Sequence, residues 1–107
     1  MSVLVEVKEE RIKQDEKWGQ QDNKPIEWLG ILMEEVGESS KEITDRMLTK
    51  FVSIEELEEY SKHCNPDTYY LLRYRKEMIQ TAAVAIAAIE SLDRNELSGF
   101  DKQGKPK

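Results

Sequence analysis

Cysteine, histidine and proline are scarce in this sequence. Its 107 residues include one cysteine (Cys64), one histidine (His63) and three prolines. A single thiol excludes an intrachain disulfide and favours a reducing compartment, and the chain has no Cys/His set for a zinc site. The only histidine is the direct neighbour of the only cysteine, and no triad partner is evident. We therefore interpret His63 and Cys64 as a loop or helix-end pair rather than a nucleophilic site.

Long apolar runs and an excess of basic residues are also missing. The longest apolar run, Ala82 to Ile89, is far shorter than the roughly 20 residues that span a membrane. No basic segment followed by an apolar one opens the chain, so we expect no signal peptide and a cytoplasmic protein. The net charge of −6 argues against a nucleic-acid partner. It does not argue against a phosphorylated small molecule, because bound cations can invert the local charge.

The pattern of apolar and polar residues predicts an all-α protein. Three helices are expected, over residues 3–17, 26–47 and 66–93, the first with a less certain, β-rich start and a glycine cap at its end. We place the helical domain at residues 1–95 and a loose polar tail at 96–107. Hydrophobic residues make up 38% and charged residues 36% of the chain, which leaves a single small core. The expected fold is a bundle of three to four helices.

A fourth, short helix and a subunit interface follow from two further segments. Ser53-Ile54-Glu55-Glu56 is typical of a capping box that opens a short helix. The alanine-rich run from Ala82 leaves small residues on every side of the third helix, which allows several helices to approach closely. Because so short a chain has too few helices to cover this run, we expect oligomerisation to complete the core.

Apolar and acidic residues divide the second helix into two faces. The apolar positions follow the spacing of a buried seam, and comprise Leu29, Leu32, Met33, Val36, Ile43 and Met47. The acidic stripe beside them starts with Glu35 and Glu38, the candidate site, and ends with Glu42 and Asp45, which we interpret as solvated surface. On the first helix, Val5 and Ile12 are predicted to form the corresponding buried stripe.

The candidate site is the segment Glu34-Glu35-Val36-Gly37-Glu38. Glu35 and Glu38 are spaced i, i+3 and share one face of a helical turn, where like charges cost roughly 0.2–0.5 kcal/mol per pair. Gly37 adds a cost of about 1 kcal/mol against alanine in a helix interior. A divalent cation would reverse the first cost, and close approach by another helix or a ligand would explain the glycine.

A second polar turn on the third helix completes the set. Glu77 and Gln80 are spaced i, i+3 at the start of the alanine-rich run, where a carboxylate is expected to be buried and therefore paired or metal-bound. We predict that this turn faces Glu35 and Glu38 and holds Mg²⁺, with Mn²⁺ as a possible substitute, since hard cations prefer oxygen ligands. Ordinary exposed helix carboxylates are the alternative.

Residues that would bind a nucleotide flank both turns. Trp18 is either a tryptophan that covers a helix end or a stacking wall for a planar ligand, with neighbouring amides to bind a base edge. Phosphate oxygens would be contacted by basic residues near either wall of the site. The substrate-binding candidates are Lys17, Trp18, Gln21, Arg73 and Lys76.

These motifs together resemble a known family. A Glu-Glu-x-x-Glu motif on one helix, followed by Glu-x-x-Asp at the start of an apolar helix, is the pattern of the all-α nucleoside triphosphate pyrophosphohydrolases of the MazG-like superfamily. The chain reads Glu34-Glu35-Val36-Gly37-Glu38 and Glu77-Met78-Ile79-Gln80. The segment from Arg11 to Gln21 and the continuation Gln80-Thr81-Ala82-Ala83-Val84-Ala85 also resemble a small phage and bacterial branch. The resemblance covers roughly residues 9–93.

The resemblance implies a Mg²⁺-dependent enzyme that cleaves a nucleoside triphosphate between its α and β phosphates to a monophosphate and pyrophosphate, and we expect a deoxynucleotide as the substrate. It also implies dimers or tetramers. Glu35, Glu38 and Glu77 then match metal ligands, and Glu34 matches a carboxylate that binds metal or positions the attacking water, so the catalytic set is Glu34, Glu35 and Glu38. Gln80 departs from the usual Asp, although an amide oxygen can still ligate Mg²⁺.

Two other functions remain open from the sequence. One is a non-catalytic module that binds nucleotide or metal, and the other is a helical protein-interaction module without a ligand. Turnover of a nucleotide would distinguish an enzyme from the binding module. Binding of nucleotide or metal would distinguish the enzyme and the binding module from the interaction module.

Overall fold

The computed structural model describes residues 2–47 and 66–107. Within these ranges the fold consists of three helices and no strand: α1 (Val3–Trp18), α2 (Pro25–Met47) and α3 (Pro66–Arg94). The prediction of an all-α fold is confirmed. The short helix expected from residue 53, together with His63 and Cys64, lies outside the described residues. None of the helices in these ranges is long and apolar enough to cross a membrane.

The helix ends are fixed by local capping interactions. Ser2 caps α1, because its hydroxyl accepts a hydrogen bond from the Val5 backbone N–H at 3.2 Å. The start of α1 is therefore helical, and the expectation of a β-rich start is wrong. Gly19 ends α1 as predicted, with φ of 73° and its N–H donating to the Asp15 carbonyl at 2.8 Å. At the start of α2, the Glu27 carboxylate accepts from the Lys24 N–H at 2.9 Å.

The core lies where α2 packs on α3, the central helix of the described structure. Both α1 and α2 pack against α3. Trp28 of α2 and Val84 and Ala87 of α3 form the buried cluster, with further half-buried apolar residues around them. Ala83 is fully buried, so the alanine-rich run is partly covered within a single chain. Small side chains let the helices approach closely here, as the composition of the run indicates.

The face of α2 that packs on α3 is not the predicted apolar seam. Leu29, Met33 and Val36 are 50%, 65% and 49% exposed. The buried positions are Trp28, Ser39 and Glu42, and Leu32 and Ile43 are half-buried. The prediction of a buried seam is therefore wrong for its central residues. Apolar spacing identified a stripe on α2, but it did not specify which stripe α3 covers.

Polar contacts help to hold α1 against α3. The predicted stripe of Val5 and Ile12 is exposed, at 44% and 47%, and the buried residues are Val7 and Gln14. Ion pairs instead tie α1 to α3 near its start and at its middle. Arg75 pairs with Glu6 near one end, and Arg11 pairs with Glu90 at 2.7 Å further along.

The segment after α3, predicted to be a loose tail, forms a hydrogen-bonded turn. The Asp101 N–H donates to the Lys105 carbonyl at 2.8 Å, and Phe100 pairs with Pro106 in an antiparallel bridge. The Asp101 side chain also accepts from the backbone N–H groups of Gln103 and Lys105. The side chains of residues 95–107 are all exposed.

Candidate metal site and adjoining cleft

Three carboxylates from two helices meet at the contact of α2 and α3. One oxygen from each of Glu35, Glu38 and Glu77 lies within 4.8 Å of the other two. The spacing i, i+3 brings Glu35 and Glu38 together on α2. The position of Glu77 follows from the register of the two helices, in which Ser39 and Thr81 face each other with their hydroxyl oxygens 3.4 Å apart.

The electrostatics of this cluster disfavour three negative charges. Burial raises the pKa of Glu35, and the neighbouring Glu38 carboxylate raises it further. Burial likewise raises the pKa of Glu77, followed by a hydrogen bond and a repulsive interaction with Glu38. Each shift means that the ionised form is less favourable here than in water. A cation placed among the three oxygens would remove that penalty.

Two oxygens of the cluster have unused hydrogen-bonding capacity. The Oε2 atoms of Glu35 and Glu77 are buried and accept no hydrogen bond within the described structure. A buried acceptor without a partner costs about 1–3 kcal/mol. Ligation by a hard cation would satisfy both atoms, and a set of carboxylate oxygens fits Mg²⁺ or Mn²⁺ in chemistry.

Glu42, one turn further along α2, is not the solvated surface residue that the sequence predicts. It is 6% exposed, not solvated, and its Oε1 accepts a hydrogen bond from Arg73 at 2.7 Å. The same guanidinium donates to the Tyr69 hydroxyl at 3.1 Å and lies over the Tyr69 ring. Glu42 also raises the pKa of Glu77, so the acidic cluster extends electrostatically to this ion pair. The Asp45 side chain lies outside the described residues.

A cleft of about 400 Å³ opens beside the acidic cluster. It lies between α1 and α2, and α3 contributes Lys76 and Gln80 to its lining. Glu35 connects it to the acidic cluster. The α1 wall consists of Glu10, Lys13, Gln14, Lys17 and Trp18. Carboxylate oxygens, lysines and an exposed aromatic ring thus share one opening.

Three of the five substrate-binding candidates line this cleft: Lys17, Trp18 and Lys76. Trp18 is 53% exposed, so it is not a core residue, and the Lys17 ammonium lies 4.8 Å from its ring centroid. The structure gives the other two candidates different contacts. Gln21 lies on the α1–α2 loop, where its carbonyl accepts from Arg94 at 3.1 Å, and Arg73 binds Glu42.

The remaining residues singled out from the sequence, Gln80, Glu34 and Gly37, lie in different surroundings. Gln80 is half-buried and lines the cleft beside Glu35. Glu34 is exposed and acts on the cluster through its charge, which raises the pKa of Glu35. Apart from its chain neighbours and the backbone of its own helix, Gly37 has no atom within 4 Å of where its Cβ would lie. The close approach expected at Gly37 is therefore absent within the described part of the chain.

Sequence reasoning overlooked three residues of the α1 wall: Glu10, Lys13 and Gln14. A signal for them was present in the spacing. Glu10, Gln14 and Trp18 follow one another at intervals of four, and so do Lys13 and Lys17, which places each series along one side of a helix. Once Trp18 is assigned to the cleft, the same face of α1 implies the others.

The loop that follows Trp18 is fastened to the end of α3. The Asp22 carboxylate accepts hydrogen bonds from Arg94 at 2.8 Å and from Asn95 at 3.0 Å. These hydrogen bonds, led by that from Asn95, lower the pKa of Asp22 to about 2. The adjacent Ser91 hydroxyl is fully buried and donates to the Asn23 carbonyl at 3.4 Å. Together these contacts fix the loop between the cleft and the core.

Comparisons of the chain with known protein families, with curated proteins and with solved structures found no match.

Proposed function

We propose that this protein is a Mg²⁺-dependent nucleoside triphosphate pyrophosphohydrolase, which cleaves a ribo- or deoxynucleoside triphosphate to the monophosphate and pyrophosphate. The observation that carries the proposal is the cluster of Glu35, Glu38 and Glu77 at the edge of a lysine-lined cleft. The resemblance of the motifs to the MazG-like superfamily supports the same reaction.

The acidic cluster is the proposed metal site. Glu35, Glu38 and Glu77 would hold the cation, and Gln80 is close enough in sequence to Glu77 to offer an amide oxygen. When bound, Mg²⁺ neutralises phosphate charge and favours ionisation of a water molecule. The buried, unpartnered oxygens of Glu35 and Glu77 support this assignment, because a purely structural cluster leaves both without compensation.

The cleft is the proposed nucleotide site. Lys17 of α1 and Lys76 of α3 supply positive charge for phosphate oxygens, and Lys13 adds a third ammonium group. Trp18 offers an exposed ring on which a base can stack. Glu34, exposed beside the cluster, is the proposed carboxylate that positions the attacking water.

The test is pyrophosphate release from a panel of nucleoside triphosphates, with Mg²⁺ and with EDTA. We expect release that requires Mg²⁺ and that is abolished by Glu38→Gln and by Glu77→Gln. The matched control is Glu9→Gln, which neutralises an exposed carboxylate elsewhere on α1 and should keep wild-type rates. Wild-type rates in either site variant would remove the proposed metal site, and no release from any nucleotide would remove the proposed reaction.

We also propose that the protein is a homo-oligomer in which a second copy covers the outer face of α2. Ile26, Leu29, Met33 and Val36 form an apolar stripe, and each is 49–73% exposed. The stripe borders an apolar groove of about 220 Å³ between α2 and α3. Exposed apolar faces of this kind mark interaction sites, and the expected subunit interface would then include α2 as well as the alanine-rich helix.

Light scattering tests this interface with one substitution on each apolar face. We expect Met33→Lys to shift the protein to monomers, because it places a charge at the centre of the α2 stripe. Leu4→Lys on α1, where the leucine is 82% exposed, is the control and should preserve the oligomer. If only Leu4→Lys causes dissociation, the interface lies on α1.

The exposed α2 stripe also favours one alternative function, a non-catalytic module that binds nucleotide, metal or another protein. Such a module would bind Mg²⁺ or nucleotide without turnover, or would bind neither and dock a partner protein on the stripe.

A further inference from the structure

Gln14 is a polar side chain held in a fixed orientation on the cleft wall. It is only 7% exposed, and its Nε2 faces the Gln80 backbone carbonyl at 3.5 Å. A carbonyl oxygen can only accept a hydrogen bond, so the amide nitrogen must be the atom directed at α3. The Oε1 atom therefore points elsewhere, and no described residue donates to it. Because Gln14 lines the cleft, this acceptor is the end of its side chain that remains for a ligand there.

The position of this acceptor relates it to the proposed stacking wall. Trp18 follows Gln14 by one helical turn, and both line the cleft. An exposed ring beside a single fixed acceptor suits a planar ligand with an N–H group at its edge. A carboxamide that is free to use both of its ends can bind any base edge, but one whose nitrogen is already engaged has only its acceptor left.

We propose that Gln14 determines base specificity and that the cleft prefers nucleobases with an exocyclic amino group. An exocyclic amine projects from the edge of the ring and can meet a lone acceptor. The imide N–H of a 4-oxo pyrimidine is recessed between two carbonyl oxygens, which an acceptor without a neighbouring donor repels. This inference rests on the proposed function, since it takes the triphosphate to be held by the lysines and the acidic cluster.

One pair of nucleotides isolates the exchange of amino for oxo beside the imide N–H: dCTP with dUTP. Used as α,β-methylene analogues, which resist cleavage at that bridge, they allow equilibrium binding to be measured by calorimetry in Mg²⁺. We expect the wild-type protein to bind the dCTP analogue more tightly than the dUTP analogue, by about fivefold for one hydrogen bond. Gln14→Met, close to glutamine in size, should abolish the preference by weakening the amino member alone. Gln103→Met in the exposed tail is the matched control and should keep it.

A second variant separates recognition from a structural role. Gln14→Glu retains an acceptor but loses the donor to the Gln80 carbonyl, so a residue that only ties α1 to α3 would respond alike to Met and Glu. Recognition instead requires that Gln14→Glu keep the amino preference. Equal binding of both members by the wild type, a preference for the oxo member, or a preference that survives Gln14→Met would each overturn the proposal. Nucleotide binding without preference refutes this inference alone, whereas no binding by the folded protein refutes the proposed function as well.

Discussion

Neutralising Glu77 should change the stability of the protein in opposite directions with and without Mg²⁺. In the metal-free protein, one oxygen of Glu77 lies within 4.8 Å of oxygens of Glu35 and Glu38. Two charges at that distance repel by about 1 kcal/mol at the dielectric constant of water and about 3.5 kcal/mol at an effective value of 20. Glu77→Gln removes both of its repulsions while preserving the size of the side chain.

The lower end of that range is appropriate, because the cluster is partly solvated: Glu38 is exposed, and Glu35 and Glu77 are half-buried. We expect the metal-free variant to be more stable than the wild type by about 1–2 kcal/mol. In a domain of this size, that corresponds to a melting temperature higher by about 4–16 °C. A substitution that stabilises a protein by removing a proposed ligand is an unusual result, and a general loss of packing could not mimic it.

With Mg²⁺ the order should reverse. A ligand at a hundred times its dissociation constant stabilises the native state by about 2.7 kcal/mol. The wild type should gain this amount, whereas the variant has lost a ligand and should gain little. Thermal unfolding followed by tryptophan fluorescence, in EDTA and in excess Mg²⁺ at one protein concentration, measures both effects. Glu9→Gln is the control and should behave as the wild type in both conditions.

Two results would refute this reasoning. If Glu77→Gln is less stable than the wild type in EDTA, the three carboxylates do not repel as their separation implies. If the variant keeps the full Mg²⁺-induced shift, the cation binds elsewhere.

The same cluster gives the metal-free protein a characteristic dependence on pH. The pKa values of Glu35 and Glu77 are raised on folding, so these groups contribute stability below the ordinary carboxyl pKa of 4.5 and lose it as pH rises through the raised values. Metal-free protein should therefore unfold at a progressively lower temperature as pH rises from the ordinary carboxyl pKa toward neutrality. Saturating Mg²⁺ should remove this decline, and an unchanged decline would count against ligation by these residues.

Three further outcomes follow from contacts outside the cluster. Gly19→Ala should destabilise the protein by about 1–3 kcal/mol in urea titrations, because φ is 73° there; Gly37→Ala, in an open helix interior, should instead stabilise it by about 1 kcal/mol. Arg73→Met should lower the free energy of unfolding by about 1–3 kcal/mol, since it leaves the buried Glu42 carboxylate without its donor. Arg75→Met breaks an exposed ion pair and should lower the free energy of unfolding distinctly less. The pKa of Asp22 is lowered to about 2. Its hydrogen bonds should therefore hold the loop at pH values above about 4 and be lost only as pH falls through the lowered pKa. The chemical shifts of the loop amides can follow this loss.

The helices and their ends were accessible from the sequence because the signals for them are local. Pro25 and Pro66 begin helices, and Gly19 ends one, through backbone geometry that depends on the residue itself. The carboxylates of Glu35 and Glu38 share a face for an equally local reason, the period of the α-helix. None of these predictions required knowledge of what any helix packs against.

The packing of the helices was not accessible in the same way. α2 has two candidate faces, an apolar one centred on Met33 and a mixed one containing Trp28 and Glu42, and hydrophobic periodicity favours the first. The structure covers the second, because Arg73 of α3 supplies the partner that makes burial of Glu42 tolerable. An ion pair between residues 31 positions apart leaves no local signal, so the sequence could not show that the acidic stripe lies against α3.

The two faces of α2 can be explained together. A carboxylate cluster can bind a cation between helices only if the acidic face of one helix is directed at its neighbour, and this is the face of α2 that lies against α3. The apolar face is then necessarily left outward, where Met33 is 65% exposed. Burying that face needs a surface outside the described chain, and a second copy of α2 would match it in length and character. The proposed metal site and the proposed oligomer interface thus follow from one choice of helix face. Substitutions at Glu38 should therefore affect Mg²⁺ binding without dissociating the oligomer, and substitutions at Met33 should dissociate the oligomer without affecting Mg²⁺ binding.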